Sequence, residues 1–152
     1  MNRFVLDTGI LLHYIRASKL FSQIEEENNL TSPNSIILVS AVTVGELEGF
    51  LQRRNWADDK KNKLQILLNE IIIIDVAGKD ERLMKAYAEL LNFSKNTHPT
   101  EKLGRSIGIG NNDLWIAALT MVAEAELITV DGDFDHLSPK WIKVRKYSSN
   151  NK

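Results

Sequence analysis

Four acidic residues stand where an apolar run ends or a helical stretch begins: Asp7 in FVLDTG, Glu46 in VSAVTVGELEGF, Asp113 in GNNDLWIAALT and Asp131 in LITVDGDFD. Carboxylates so placed suit a cage for a hard divalent cation. Mg²⁺ and Mn²⁺ prefer oxygen ligands, and a pair of such ions clamps the attacking and leaving oxygens of a phosphodiester displacement. The chemistry these residues point to is metal-dependent nucleic-acid hydrolysis, with Mg²⁺ (or Mn²⁺) as cofactor.

Each acid also has a purely structural role open to it. Asp7 can cap the helix that follows. Glu46 borders an apolar arc of its helix, one turn from Val42 and from Phe50, where a carboxylate needs a partner or solvent. Asp113 opens a nearly all-apolar helix and gains from its dipole there. Asp131, Asp133 and Asp135 form a staircase like the start of a calcium loop, but the match fails. The sixth loop position is His136 rather than glycine and the twelfth is Ile142 rather than glutamate, so Asp133 and Asp135 are equally well read as turn acids.

The elements that must position these acids follow from the apolar pattern. Runs rich in β-branched residues predict buried strands at about 3–6, 35–39, 71–76, 127–130 and 142–144. Helical segments are expected at Gly9–Arg16, Leu20–Asn28, Val42–Arg54, Ala57–Asn69, Asp80–Ser94 and Asn112–Ala125. Strands alternating with helices imply an α/β fold, a three-layer α/β/α sandwich with a mostly parallel central sheet. In such sheets ligands bind beyond the carboxyl ends of the strands, which is where Asp7 and Asp131 fall. The stretch 96–112, with one proline and three glycines and no clear period, reads as a long loop.

At 152 residues the chain is the size of one domain, expected over 1–147 with a flexible C-terminal tail at 148–152. With 43% hydrophobic and 26% charged residues it is an ordinary globule. It has no cysteine, so disulfides and thiolate metal sites are excluded. The longest aliphatic run, Ile71–Ile74, is far too short to span a bilayer, so no membrane partner is expected, and the expected location is cytoplasmic. A formal net charge of −1 argues against coating nucleic acid by bulk electrostatics but not against a small catalytic site. Arg53, Arg54, Lys60, Lys61 and Lys63 surround Trp56, a stretch that a solvated helix pair explains. His13, His98 and His136 are scattered without zinc-site spacing, and no nucleophile elbow or phosphate-cradling glycine loop is present.

The order LDT, GELEGF, NDLWIAA and TVDGDFDHL, spread over nearly the whole chain, resembles the PIN-domain ribonucleases, and among them the VapC-type toxins of toxin–antitoxin pairs. That resemblance implies that Asp7, Glu46, Asp113 and Asp131 are the catalytic, metal-binding acids. It implies that Thr8 supports Asp7, that Thr129 stands near Asp131, and that Asp133 is a further, outer acid. It further implies cleavage of single-stranded or loop RNA, such as tRNA, to a 3′ hydroxyl and a 5′ phosphate. A homodimer and a cognate antitoxin protein are implied as partners, the antitoxin docking between the early helices, where Leu20, Phe21 and Ile24 suit either a contact with it or the core equally well. One departure stands out: Gly9 occupies a position where the family commonly has asparagine, which weakens expected support for Asp7. Two rivals are a phospho-accepting receiver domain, which lacks an evident lysine here and a use for Glu46, and a catalytically silent PIN-fold module binding RNA or protein.

Overall fold

The apolar runs become strands, and the caps at their ends turn the chain into helices. The computed structural model describes residues 1–148. Residues 149–152, which make up most of the expected tail, lie outside the described residues. The elements in chain order are β1 (Asn2–Leu6), α1 (Thr8–Ile15), α2 (Lys19–Asn28), β2 (Ser35–Ser40), α3 (Ala41–Arg54), α4 (Asp58–Glu70), β3 (Ile72–Ile74), α5 (Glu81–Ser94), α6 (Asn111–Val122), β4 (Glu126–Thr129), a 3-10 helix (Gly132–Leu137) and β5 (Lys143–Lys146). Side-chain caps set several starts. Asp7 accepts from Thr8 N, Ser18 from Phe21 N, Ser40 from Val42 N and Asp80 from Leu83 N. Asn29 and Asn55 end α2 and α3 in the left-handed region, at φ 51° and 48°.

The five strands form one sheet in the order β3-β2-β1-β4-β5, and every pairing is parallel. The chain steps outward from β1 to β2 to β3, then returns to lay β4 on the other side of β1. Connections therefore leave β1 and β4 in opposite directions, and a crevice opens at their carboxyl ends. Strand alternation feeds a core on each face. Phe4, Leu6, Val39 and Ile128 pack with Ile10, Leu11, Leu20, Ile24, Leu47 and Leu64 from α1–α4. Val5, Leu38 and Leu127 pack with Leu83, Leu90, Leu114 and Ile116 from α5 and α6. The three-layer α/β/α expectation holds.

The outermost strands correct the sequence reading. β3 was expected as a buried strand, yet Ile72 and Ile73 are 50% and 41% exposed. β5 begins at Lys143 rather than at Ile142 and is mostly exposed. Both lie at sheet edges, where a neighbour is present on one side only, and strand order is not written in local composition. Of the two roles open to the early-helix apolar residues, docking and core, the structure separates the three positions. Leu20 and Ile24 are 1% and 0% exposed, so they belong to the core, while Phe21 stays partly exposed in an edge-to-face contact with Tyr14.

The long loop is irregular, as expected, but pinned. Asn96 Oδ1 accepts from the amides of Leu103 and Gly104 at 3.1 and 3.0 Å, and Ile107 N donates to Ser94 O at 2.7 Å. The loop therefore delivers α6 at a fixed point above the sheet.

Equilibrium urea unfolding distinguishes core from edge. Leu127→Ala, at a fully buried site, is expected to cost about 3–5 kcal/mol, whereas Ile73→Thr should cost less than about 1 kcal/mol. A loss on Ile73→Thr as large as that on Leu127→Ala would contradict the edge assignment.

Candidate metal centre

β1 and β4 run side by side with Leu6 opposite Ile128, so the residues leaving the two strands emerge together. Asp7 N donates to Ile128 O at 3.2 Å, and Thr129 Oγ1 donates to Asp7 Oδ2 at 2.8 Å. The other carboxylate oxygen of Asp7 accepts from Thr8 N at 2.7 Å. Asp7 thus caps α1 while facing β4, and the cap leaves its place at the strand ends unchanged. It is 6% exposed, and burial pushes its carboxyl above the ordinary carboxylate range, against the lowering effect of the Thr129 and Thr8 hydrogen bonds.

Asp131 follows β4. Its backbone N donates to Thr129 Oγ1 at 3.0 Å, so the Thr129 hydroxyl ties the two strand ends into one unit. Asp131 Oδ1 accepts from Asp133 N at 2.9 Å and starts the 3-10 helix. Asp113 arrives from the first turn of α6, which packs on β1, β2 and β4. Asp113, Asp131 and Asp133 each place a carboxylate oxygen within 4.8 Å of the others. Of the four acids expected to gather, Asp113 and Asp131 stand in this tight group. Asp133, expected further out, shares it.

Asp7 and Glu46 flank that group. Glu46, on α3, accepts from Thr8 Oγ1 at 3.1 Å. Thr8 therefore supports Asp7 through its backbone and Glu46 through its hydroxyl. All of these acids act on Asp113: burial, then the charges of Asp7, Asp131, Asp133 and Glu46, push its carboxyl up to about 7. Asp135 turns away to an ion pair with Lys146 at 2.7 Å. Among the described residues, no lysine, arginine or histidine forms an ion pair with Asp7, Glu46, Asp113, Asp131 or Asp133.

The donor set is all oxygen, which fits Mg²⁺ or Mn²⁺ and not a soft ion. A buried Asp7 and an Asp113 whose carboxyl is pushed up to about 7 are the marks of negative charge gathered without its counter-charge. The histidines take structural parts: His136 Nε2 lies 2.7 Å from Ser94 Oγ, His13 Nδ1 lies 2.9 Å from Ser18 Oγ, and the His98 ring accepts from the amides of Thr100 and Glu101.

The Gly9 departure has a packing cause that the sequence did not reveal. A Cβ at Gly9 would lie 2.9 Å from Val130 Cγ2, closer than real contacts allow. Val130, between Thr129 and Asp131, fills the space that a side chain at position 9 would need. The only signal in the sequence is a glycine in the first turn of a helix and a β-branched residue 121 positions later, and nothing local joins the two.

A family model described as "PIN domain" matches residues 4–139. The chain is similar to Ribonuclease VapC2 of Rickettsia felis, 28% identical over 128 residues, covering 83% of this chain and 84% of that protein. Its fold is similar to that in the crystal structure of VapBC2 from Rickettsia felis bound to a promoter DNA fragment, with TM-score 0.73 and 23% identity over 96% of this chain and 99% of that one. It is also similar to a toxin–antitoxin complex from Klebsiella pneumoniae, with TM-score 0.65 and 19% identity over 95% and 98% of the two chains.

Two tests follow from the geometry. Asp113 has a folded-state value near 7 against an ordinary 3.8, so the folded chain binds the extra proton more tightly than the unfolded chain. In metal-stripped protein its contribution to stability falls as pH rises through that window and levels off above it. Melting temperatures measured from pH 5 to 8 should decline less for Asp113→Asn than for the parent; parallel curves would refute the crowding. Separately, Gly9→Asn should lower the melting temperature, and adding Val130→Ala should recover part of the loss in a double-mutant cycle; additive losses would mean the two positions do not compete for space.

Proposed function

The chain belongs to the PIN domain family, and from that premise we propose that it is a metal-dependent endoribonuclease of the VapC type, hydrolysing RNA phosphodiester bonds under the control of a cognate antitoxin. The observation that carries the reading is the convergence of Asp113, Asp131 and Asp133 within 4.8 Å, flanked by Asp7 and Glu46 and without a paired cation among the described residues. The likeness to a protein named Ribonuclease VapC2 supports RNA as the substrate, with tRNA among the structured targets.

In this reading Asp7, Glu46, Asp113 and Asp131 would hold the ion, with Asp133 close beside Asp113 and Asp131. Mg²⁺ or Mn²⁺, when bound, supplies positive charge to the phosphoryl and leaving oxygens and acidifies a water for attack. The chain's own contribution is placement. Thr129 fixes the Asp7 carboxylate and the start of the Asp131 turn together, and Thr8 does the same for Asp7 and Glu46. The Asp113 carboxyl, pushed up to about 7 by burial and its acidic neighbours, would have to be ionised to hold an ion. Products of such a cut carry a 3′ hydroxyl and a 5′ phosphate.

Likeness to a toxin–antitoxin complex supports an antitoxin partner, with the exposed part of Phe21 beside Tyr14 as a contact between the early helices. The reading takes residues 1–147 as one nuclease domain, acting in the cytoplasm as a homodimer. No helix among the described residues is long and apolar enough to cross a membrane. The departure at Gly9, which favours a catalytically silent module modestly, also has a steric explanation in Val130, and the acids themselves are all present.

Total RNA incubated with purified protein and Mg²⁺ or Mn²⁺ should be cut, and chelation should stop the cutting. Asp113→Asn should reduce the rate about a hundredfold or more, since even partners of metal ligands are worth about 10- to 100-fold. Undiminished cleavage by a folded Asp113→Asn protein would sink the assignment.

A further inference from the structure

The free face of α3 continues past the acid site into a basic and aromatic platform. Phe50 lies one turn beyond Glu46, about 6 Å along the helix axis, and Arg53 about 10 Å from Glu46. Three guanidinium groups surround the Phe50 ring: Arg16 at 5.5 Å, Arg53 at 5.8 Å and Arg54 at 5.3 Å from its centroid. Phe50 meets Trp56 edge-on at 5.1 Å and 70°, and Lys60 Nζ stands 4.7 Å over the Trp56 ring. Among the described residues none of these four cations makes an ion pair with an acid. Arg16, Arg53 and Arg54 are exposed, whereas Phe50 and Trp56 are half-buried, so the rings keep part of their surface accessible beneath mobile cationic side chains that a bound strand would displace.

Resting on the ribonuclease reading, we infer that this platform is a subsite for single-stranded RNA, where Phe50 and Trp56 stack on a base and Arg16, Arg53 and Arg54 hold phosphates flanking the one at the acid site. Three like charges around one ring repel one another, and an anion relieves that repulsion. Aromatic rings interleaved with cations are the pattern used by proteins that track unpaired strands. A nucleotide uses both features at once, since its base has a π-face and its phosphate a charge. A duplex, with its bases stacked internally, cannot use the rings.

Two glycines, Gly45 and Gly49, stand on α3 beside Glu46 and Phe50. A Cβ at Gly45 would meet nothing within 4 Å, and one at Gly49 would meet only Arg53 Nη1, at 3.5 Å. Packing therefore does not demand glycine at either position, although glycine weakens a helix. Both leave the helix backbone bare beside Glu46 and Phe50, so a strand can lie close along α3. This assigns a joint role to a basic stretch that the sequence alone explains as a solvated surface. The rings' other cations come from Arg16, at the end of α1, and from α4.

The test is fluorescence anisotropy of a short fluorescein-labelled oligouridylate, measured with Mg²⁺ on the Asp113→Asn protein so that the probe stays intact. Adding Phe50→Ala should weaken binding about tenfold or more, and adding Phe50→Tyr should preserve it. Arg53→Ala should flatten the dependence of affinity on salt by close to one phosphate contact. Oligouridylate binding unaffected by Phe50→Ala, in protein folded by circular dichroism, would overturn the inference. So would Phe50-dependent binding of a glutamate-rich synthetic peptide in place of the oligonucleotide. RNA cleavage by the parent chain is scored separately. Phe50-dependent binding without cleavage supports the subsite and removes only the nuclease reading, and cleavage with Phe50-independent binding removes only the subsite.

Discussion

The hydrogen bond from Thr129 to Asp7, 2.8 Å long and buried, joins the carboxyl ends of the two strands at which the sheet changes direction. Everything else at the site depends on it. The strand order β3-β2-β1-β4-β5 brings residues 7 and 129 together, and the hydroxyl that satisfies Asp7 also accepts from Asp131 N. A carboxylate as buried as Asp7 is tolerated only with such partners. Replacing the threonine would leave Asp7 short of a donor and free the turn that carries Asp131 and Asp133.

The same tie imposes a cost. It holds Asp131 and Asp133 beside Asp113, and with Asp7 and Glu46 nearby the like charges drive the Asp113 carboxyl up to about 7. An arrangement that destabilises the ionised fold on its own would, on the proposed reading, be stabilised by a divalent cation, because the binding free energy adds to that of folding. On the proposed reading, α3 then links two kinds of charge. Its acid, Glu46, faces the negative centre, and its distal turns carry cations that match the flanking phosphates of a bound strand.

Much of this was legible in the chain because the informative residues touch the ends of strong local patterns. Asp7 and Asp131 directly follow β-branched runs, and Asp113 precedes an apolar helix, so their placement at one end of a parallel sheet follows from alternation of strands and helices. What was not legible depends on pairs of segments remote in sequence. Nothing near Ile72 says that β3 is an edge strand, so a buried strand was expected where two isoleucines are exposed. Thr8 donates its hydroxyl to Glu46 rather than to Asp7 because α1 packs against α3, and Gly9 is dictated by Val130. Leu20 and Ile24 have the spacing of a docking face but complete the core. The basic stretch at 53–63 reads as solvated, and Arg53, Arg54 and Lys61 are exposed; that Arg16, from another helix, joins it at Phe50 is not legible locally.

The most direct test of the central claim, that these acids are a metal centre, is anomalous diffraction at the manganese edge from crystals of the protein soaked in Mn²⁺. The account predicts a peak among the carboxylates of Asp113, Asp131 and Asp133, at metal–oxygen distances of about 2.0–2.3 Å, that is absent from crystals of Asp113→Asn. Well-occupied manganese elsewhere on the protein, with none among these three carboxylates, would contradict it.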